Sequence, residues 1–117
     1  MRLLLDSHAF LWAVSGDPRL SPRAARAMAG RDREAWLSHV SVWELTAKAS
    51  SGRLAFPEPV AVMAGNFGAK LLPITPRHIE ATAELPPHHR DPFDRLLVAQ
   101  AIEEGLTLVT ADERIQR

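Results

Sequence analysis

Apolar residues fall in four short runs, separated by longer stretches where they recur at helical spacing. Leu3-Leu4-Leu5 ends abruptly at Asp6 and reads as a buried parallel strand. Ser7 to Val14 then reads as a helix, stopped by Gly16-Asp17-Pro18. Ser21-Pro22 is a cap and first-turn pair for a helix through Ala29 that Gly30 closes. Ala35 to Ser38 is the second strand. Ser41 and Glu44 have the spacing of a capping box, and the helix they open runs to about Ser50, ahead of Gly52. Pro57 and Pro59 break the chain before a short helix from Val60 that ends near Gly68. Lys70 to Ile74 is the third strand, which Pro73 assigns to an edge. Thr75-Pro76 precedes a helix over His78 to Leu85, ended by Pro86-Pro87. Leu106 to Thr110 is the fourth strand, and Ala111-Asp112-Glu113-Arg114 turns into a last short helix.

Between the third and fourth strands lies the stretch on which the chain is organised, Arg90-Asp91-Pro92-Phe93-Asp94 and the helix that follows it to Gly105. From Arg95 to Ile102 that helix is apolar on nearly every side apart from Arg95 and Gln100, which predicts burial. Asp94 at its head has two readings. It caps the helix and meets the positive end of the dipole, or it belongs to a site. Glu44 has the same ambiguity, because a capping box would return it to the Ser41 amide.

Strands alternating with helices predict an α/β fold with a parallel sheet and right-handed crossovers. In such sheets ligands bind beyond the carboxyl ends of the strands. Asp6 and Asp112 each follow a strand, and Glu44 and Asp94 each fall early in a helix. The four acids can therefore face one crevice.

Composition narrows the class. At 117 residues and 12.9 kDa there is room for one domain, and 46% hydrophobic with 24% charged residues excludes disorder. The chain has no Cys, which removes disulfides and thiolate ligands. The first apolar run is too short for a signal peptide and nothing later reaches transmembrane length, so a cytoplasmic protein with no membrane contact is expected. Basic and acidic residues number 14 each, so net charge gives no argument for nucleic acid. Arg19, Arg23, Arg26, Arg31 and Arg33 do cluster, either as a solvated helix face or as phosphate contacts. Trp12, Trp36 and Trp43 with Phe10 and Phe67 read as core or partner surface, most of them as core.

Four carboxylates within a few ångströms need a cation. Oxygen ligands alone favour Mg²⁺ or Mn²⁺ over Zn²⁺. Such ions bridge phosphate oxygens and lower the pKa of a water, which suits hydrolysis of a phosphodiester. His8, His88 and His89 lack helical ligand spacing and read as packing or hydrogen-bonding residues.

With Leu3-Leu4-Leu5-Asp6-Ser7-His8-Ala9, Ser41-Val42-Trp43-Glu44-Leu45, the run from Leu85 to Ala101 and Leu108-Val109-Thr110-Ala111-Asp112, the chain resembles PIN-domain ribonucleases. The likeness is closest to VapC-type toxins of bacterial type II toxin–antitoxin pairs, in order and spacing from end to end. It implies a single PIN domain over residues 1–117, a three-layer α/β/α fold with a central, mostly parallel sheet. It implies that Asp6, Glu44, Asp94 and Asp112 are catalytic and hold Mg²⁺ (or Mn²⁺), Asp6 and Asp94 most directly, Glu44 and Asp112 through water or at a second ion. Thr110 would orient a water or a carboxylate. Asp91 is ambiguous between shaping the pocket and ligation, and Arg90 and Arg95 between holding the RNA backbone and surface ion pairing. The implied activity is endonucleolytic hydrolysis of single-stranded RNA to a 3′-OH and a 5′-phosphate. The implied partners are a small antitoxin protein and a second copy in a homodimer. Relatives continue past the last acid into a final short strand, whereas this chain is expected to stop short of it at Arg117, a departure that bears on stability more than on chemistry. Rival readings are a catalytically silent PIN-fold binding partner and a receiver-like phosphoacceptor domain. The latter lacks its paired acids and terminal Lys, and a haloacid-dehalogenase-like phosphatase would need Asp where His8 stands.

Overall fold

The computed structural model describes residues 1–30, 32–87 and 91–110, with the backbone of 115–116. Strand β1 (Arg2–Leu5) leads into helix α1 (Ser7–Ser15), and α2 (Pro22–Ala29) precedes β2 (Glu34–Ser38). Helices α3 (His39–Ser50) and α4 (Val60–Phe67) bring the chain to β3 (Ala69–Leu72). Next come α5 (Pro76–Ala81), a 3₁₀ turn (Thr82–Glu84), α6 (Pro92–Glu104), β4 (Thr107–Val109) and β5 (Ile115–Gln116).

The strands form one sheet in the order β3-β2-β1-β4-β5. The first four are parallel and β5 pairs antiparallel to β4, with Val109 opposite Ile115. The short final strand is therefore present, a correction to the sequence expectation. The helix expected at residues 111–114 lies outside the described residues. As Pro73 predicts, β3 is an edge strand.

Successive side chains of a strand point to opposite faces, and β1 shows what this does. Leu3 and Leu5 enter one core with Phe10, Met28, Leu45 and Val60, from α1 to α4. Leu4 enters the other with Leu72, Leu97, Ala101 and Leu108, where α6 covers the sheet. Helices on both faces make the three layers. Leu3, Leu4 and Leu5 are fully buried, each contributing about 1.5–3 kcal/mol by burial. A strand wet on one face would alternate; this run cannot.

Gly105 ends α6 in the left-handed region, φ 67°, and its N–H closes the last turn on Ala101 and Ile102. A Cβ there would meet only Arg2 Nη1 at 3.9 Å, so the obstacle to a side chain is backbone conformation, not space. Gly105→Ala is expected to cost about 1–2 kcal/mol. An unshifted urea midpoint would show that the turn relaxes at no cost.

Candidate active site

Among the described residues, Asp6 and Thr110 are placed by strand ends, Asp94 by a helix start and Glu44 by the second turn of α3. Asp6 follows β1, and its backbone N–H donates to Val109 O at 2.9 Å, extending the β1–β4 ladder by one step. Its side chain caps α1, accepting from Ala9 N–H at 2.7 Å through Oδ1. Thr110 follows β4 directly. Because Leu5 is in register with Val109, Asp6 and Thr110 leave the sheet side by side at its carboxyl edge.

The capping box expected at Ser41 and Glu44 does not form. Helix α3 starts earlier, at His39, because Ser38 accepts from Val40 N–H at 3.0 Å and takes the cap position. Ser41 lies inside the helix, its Oγ buried without a hydrogen-bond partner among the described residues. Glu44 is thereby released from capping. Its Oε1 accepts from Ser7 Oγ at 2.6 Å, and its Oε2 stands 3.3 Å from Lys48 Nζ. Ser7 is buried and adjoins Asp6, so this hydrogen bond ties the acid of α3 to the end of β1.

At α6 the structure separates the two aspartates. Asp91 is the N-cap, accepting from Phe93 N–H at 2.9 Å, with Pro92 in the first turn. Asp94 is the third residue of the helix, in its first turn, and is not the cap. The Phe93 and Trp43 rings lie 5.3 Å apart, so the residues preceding Asp94 and Glu44 in the chain touch. Strand end, α3 and the head of α6 thus meet along one edge. Asp112 lies outside the described residues. Among the described residues, no group of three or more His, Asp and Glu is gathered closely enough to hold an ion.

The flanking residues sort themselves. Arg95 donates to the backbone oxygens of Thr82, Pro86 and Leu85, bracing the connection from α5 to α6. Arg90, His88 and His89 lie outside the described residues. His8 is exposed and stands over Trp12, ring centroids 6.0 Å apart. Beside α1 and the α3–α4 connection runs a groove of about 910 Å³ whose walls include His8, Trp12, Arg19, Lys48, Arg53 and Phe56. Arg19 is engaged there: it lies 4.8 Å over Trp12 and its hydrogen bonds to Asp17 hold that carboxyl below its usual range. Arg23 and Arg26 are a solvent-facing side of α2. The tryptophans correct expectation: Trp12 and Trp36 are half-buried and Trp43 is 63% exposed, leaving Phe10 as the buried aromatic.

Sequence reasoning passed over Ser7 and Lys48. The first follows Asp6 immediately, and the second is four residues beyond Glu44, the spacing of a helical ion pair. Among the described residues no helix is long and apolar enough to cross a membrane.

The PIN domain family model matches residues 3–117. Ribonuclease VapC22 of Mycobacterium tuberculosis is 34% identical over 117 residues, which span 97% of this chain and 89% of that protein. Among solved structures, VapBC2 from Rickettsia felis bound to a DNA fragment from its promoter superposes with a TM-score of 0.69 at 19% identity, covering 94% of this chain and 87% of that one. The sarcin-ricin loop cleaving toxin VapC20 of Mycobacterium tuberculosis gives a TM-score of 0.60 at 20% identity, covering 89% and 84%. At those identities the structures speak for the fold, and they agree with the sheet and layers described above. Match, relative and architecture together place the chain in the PIN-domain family.

Proposed function

We propose that this chain is a divalent-metal-dependent endoribonuclease that cuts single-stranded RNA and acts as the toxin of a toxin–antitoxin pair. The observation that carries it is the tie from Ser7 to Glu44, which sets a second acid beside the strand end that bears Asp6. Support comes from the ribonuclease relative at 34% identity and from neighbours solved as VapBC complexes.

The donor chemistry fits Mg²⁺ or Mn²⁺. Asp6, Glu44 and Asp94 offer hard oxygens only, and the cap bond to Ala9 N–H orients the Asp6 carboxylate. Asp6 and Asp94 would hold the ion most directly, with Glu44 and Asp112 completing the set. Bound there, such an ion neutralises charge on phosphoryl oxygens and brings the pKa of a water towards neutrality. The chain's own residues do the rest. Ser7 fixes the Glu44 carboxylate, and the cap bond fixes that of Asp6. Thr110, which leaves the sheet beside Asp6, would orient a water or a carboxylate. An antitoxin of small size and a second copy of the chain are the expected partners.

The test is purified chain, free of other proteins, with single-stranded RNA and Mn²⁺. Cleavage to 5′-phosphate ends is expected, with loss of activity in EDTA and recovery on adding excess Mn²⁺. Cleavage that persists in chelator, or ends bearing a cyclic phosphate, would rule the proposal out.

A further inference from the structure

Lys48 has no part in the chemistry so far. A Glu–Lys pair one helical turn apart is common and, when exposed, contributes little. This pair differs in its surroundings. Glu44 and Lys48 side chains are 24% and 28% exposed, so both are mostly covered. The carboxylate is tied through Ser7 to the residue after Asp6, and the ammonium lines the groove together with Arg19 and Arg53.

We infer that Lys48 is a resident counter-cation of Glu44 which a divalent ion displaces, and that the displaced ammonium then binds a phosphate of RNA lying in the groove. The inference rests on the nuclease proposal above. With Oε1 held by Ser7, Oε2 is the oxygen left for an ion, and it is the one Lys48 touches. Two cations on one carboxylate oxygen repel each other, so occupancy by one expels the other. The lysine stem is flexible and its head is a point charge suited to phosphate. The groove receives it: Arg53 also lines it, while Arg19 is already paired with Asp17 at 2.7 Å. Until an ion arrives, the same ammonium offsets negative charge gathered at the sheet edge. An arriving metal therefore both completes the site and frees a phosphate ligand.

The test is Lys48→Met, with Lys48→Arg as the charge-keeping control, in the full chain. Mn²⁺ binding by titration calorimetry is expected to tighten about 3- to 10-fold in the Met variant, since a competing cation is gone. Binding of a fluorescein-labelled phosphorothioate oligoribonucleotide in Mn²⁺ is expected to weaken. Its slope of log affinity against log salt is expected to shrink by about 0.7, the loss of one phosphate contact on a single strand. The Arg variant is expected to restore both. Unchanged or weaker Mn²⁺ binding by the Met variant, or an unchanged salt slope, overturns the exchange. A loss of affinity for a polyglutamate peptide with none for the oligoribonucleotide also overturns it and reassigns the groove to an acidic protein partner. If the wild-type chain itself binds no Mn²⁺, the nuclease proposal falls first and this inference with it.

Discussion

Asp6→Asn is expected to fold like the wild-type chain and to cut RNA at least about a hundredfold more slowly, since a carboxylate ligand becomes a neutral amide. The substitution separates two roles that one side chain performs. As N-cap of α1, Asp6 accepts from Ala9 N–H, and Asn does this equally well. As a charged ligand it has no substitute in Asn. Asp6→Ala removes both and is expected to lose about 1 kcal/mol of stability besides its activity. Asp94→Asn is expected to match Asp6→Asn in activity. It also gives up a favourable charge at the first turn of α6, about 0.3–1 kcal/mol, while the cap at Asp91 is untouched. Urea denaturation and RNA cleavage in Mn²⁺, measured on the same preparations, check each half. Cleavage by Asp6→Asn within a few-fold of wild type would remove Asp6 from the chemistry and leave it a cap.

The largest stability effect away from the cores is expected at His78. Its ring is 1% exposed and joins α5 to α6. Nδ1 accepts from Thr75 N–H at 3.1 Å and from Gln100 Nε2 at 3.3 Å, while Thr75 Oγ1 accepts from His78 N–H at 3.2 Å, a capping box with His in the third helical position. With two donors on Nδ1, the proton of a neutral ring sits on Nε2, which donates to Glu104 Oε2 at 2.8 Å. His78→Ala opens a cavity and strands these partners, a loss of about 2–4 kcal/mol. Gln is a standard residue at this position of a capping box, so His78→Gln is expected to recover about 1 kcal/mol of that by accepting from Thr75 N–H. Denaturant midpoints for the two variants settle it. Equal losses would mean that the ring's volume, not its hydrogen bonds, is what matters.

How much of this could be read beforehand follows from where the information resides. Leu3-Leu4-Leu5 announces a strand buried on both faces because nothing in it alternates, and Pro73 announces an edge because it cannot donate to a neighbour. Those signals are local. The start of α3 was misread because Ser38 and Ser41 both suit a cap, and only the strand ending at Ser38 decides between them. The same competition at α6 gave the cap to Asp91 and left Asp94 in the first turn. In both helices the true cap lies three residues before the position first suspected, and this frees the acid for other work. The bond from Ser7 to Glu44 was not legible, since its partners are 37 residues apart and meet only when α1 packs on α3. Trp43 was misjudged because hydrophobicity says that a side chain can be buried, not that there is room for it. The set of four acids follows from their places after strands and early in helices, and the resemblance adds their roles. The structure describes three of them, and local propensity would have assigned every one of those three to a helix end.

The pairing of β1 with β4 has a consequence for synthesis. Leu3 is matched with Thr107, so the middle of the sheet stays open until about a hundred further residues have been made. A nascent or prematurely terminated chain that lacks its last stretch has no neighbour for one side of its first strand, and Asp6 has no Val109 carbonyl to hold its amide. Translation itself therefore delays the assembly of this edge until β4 has emerged.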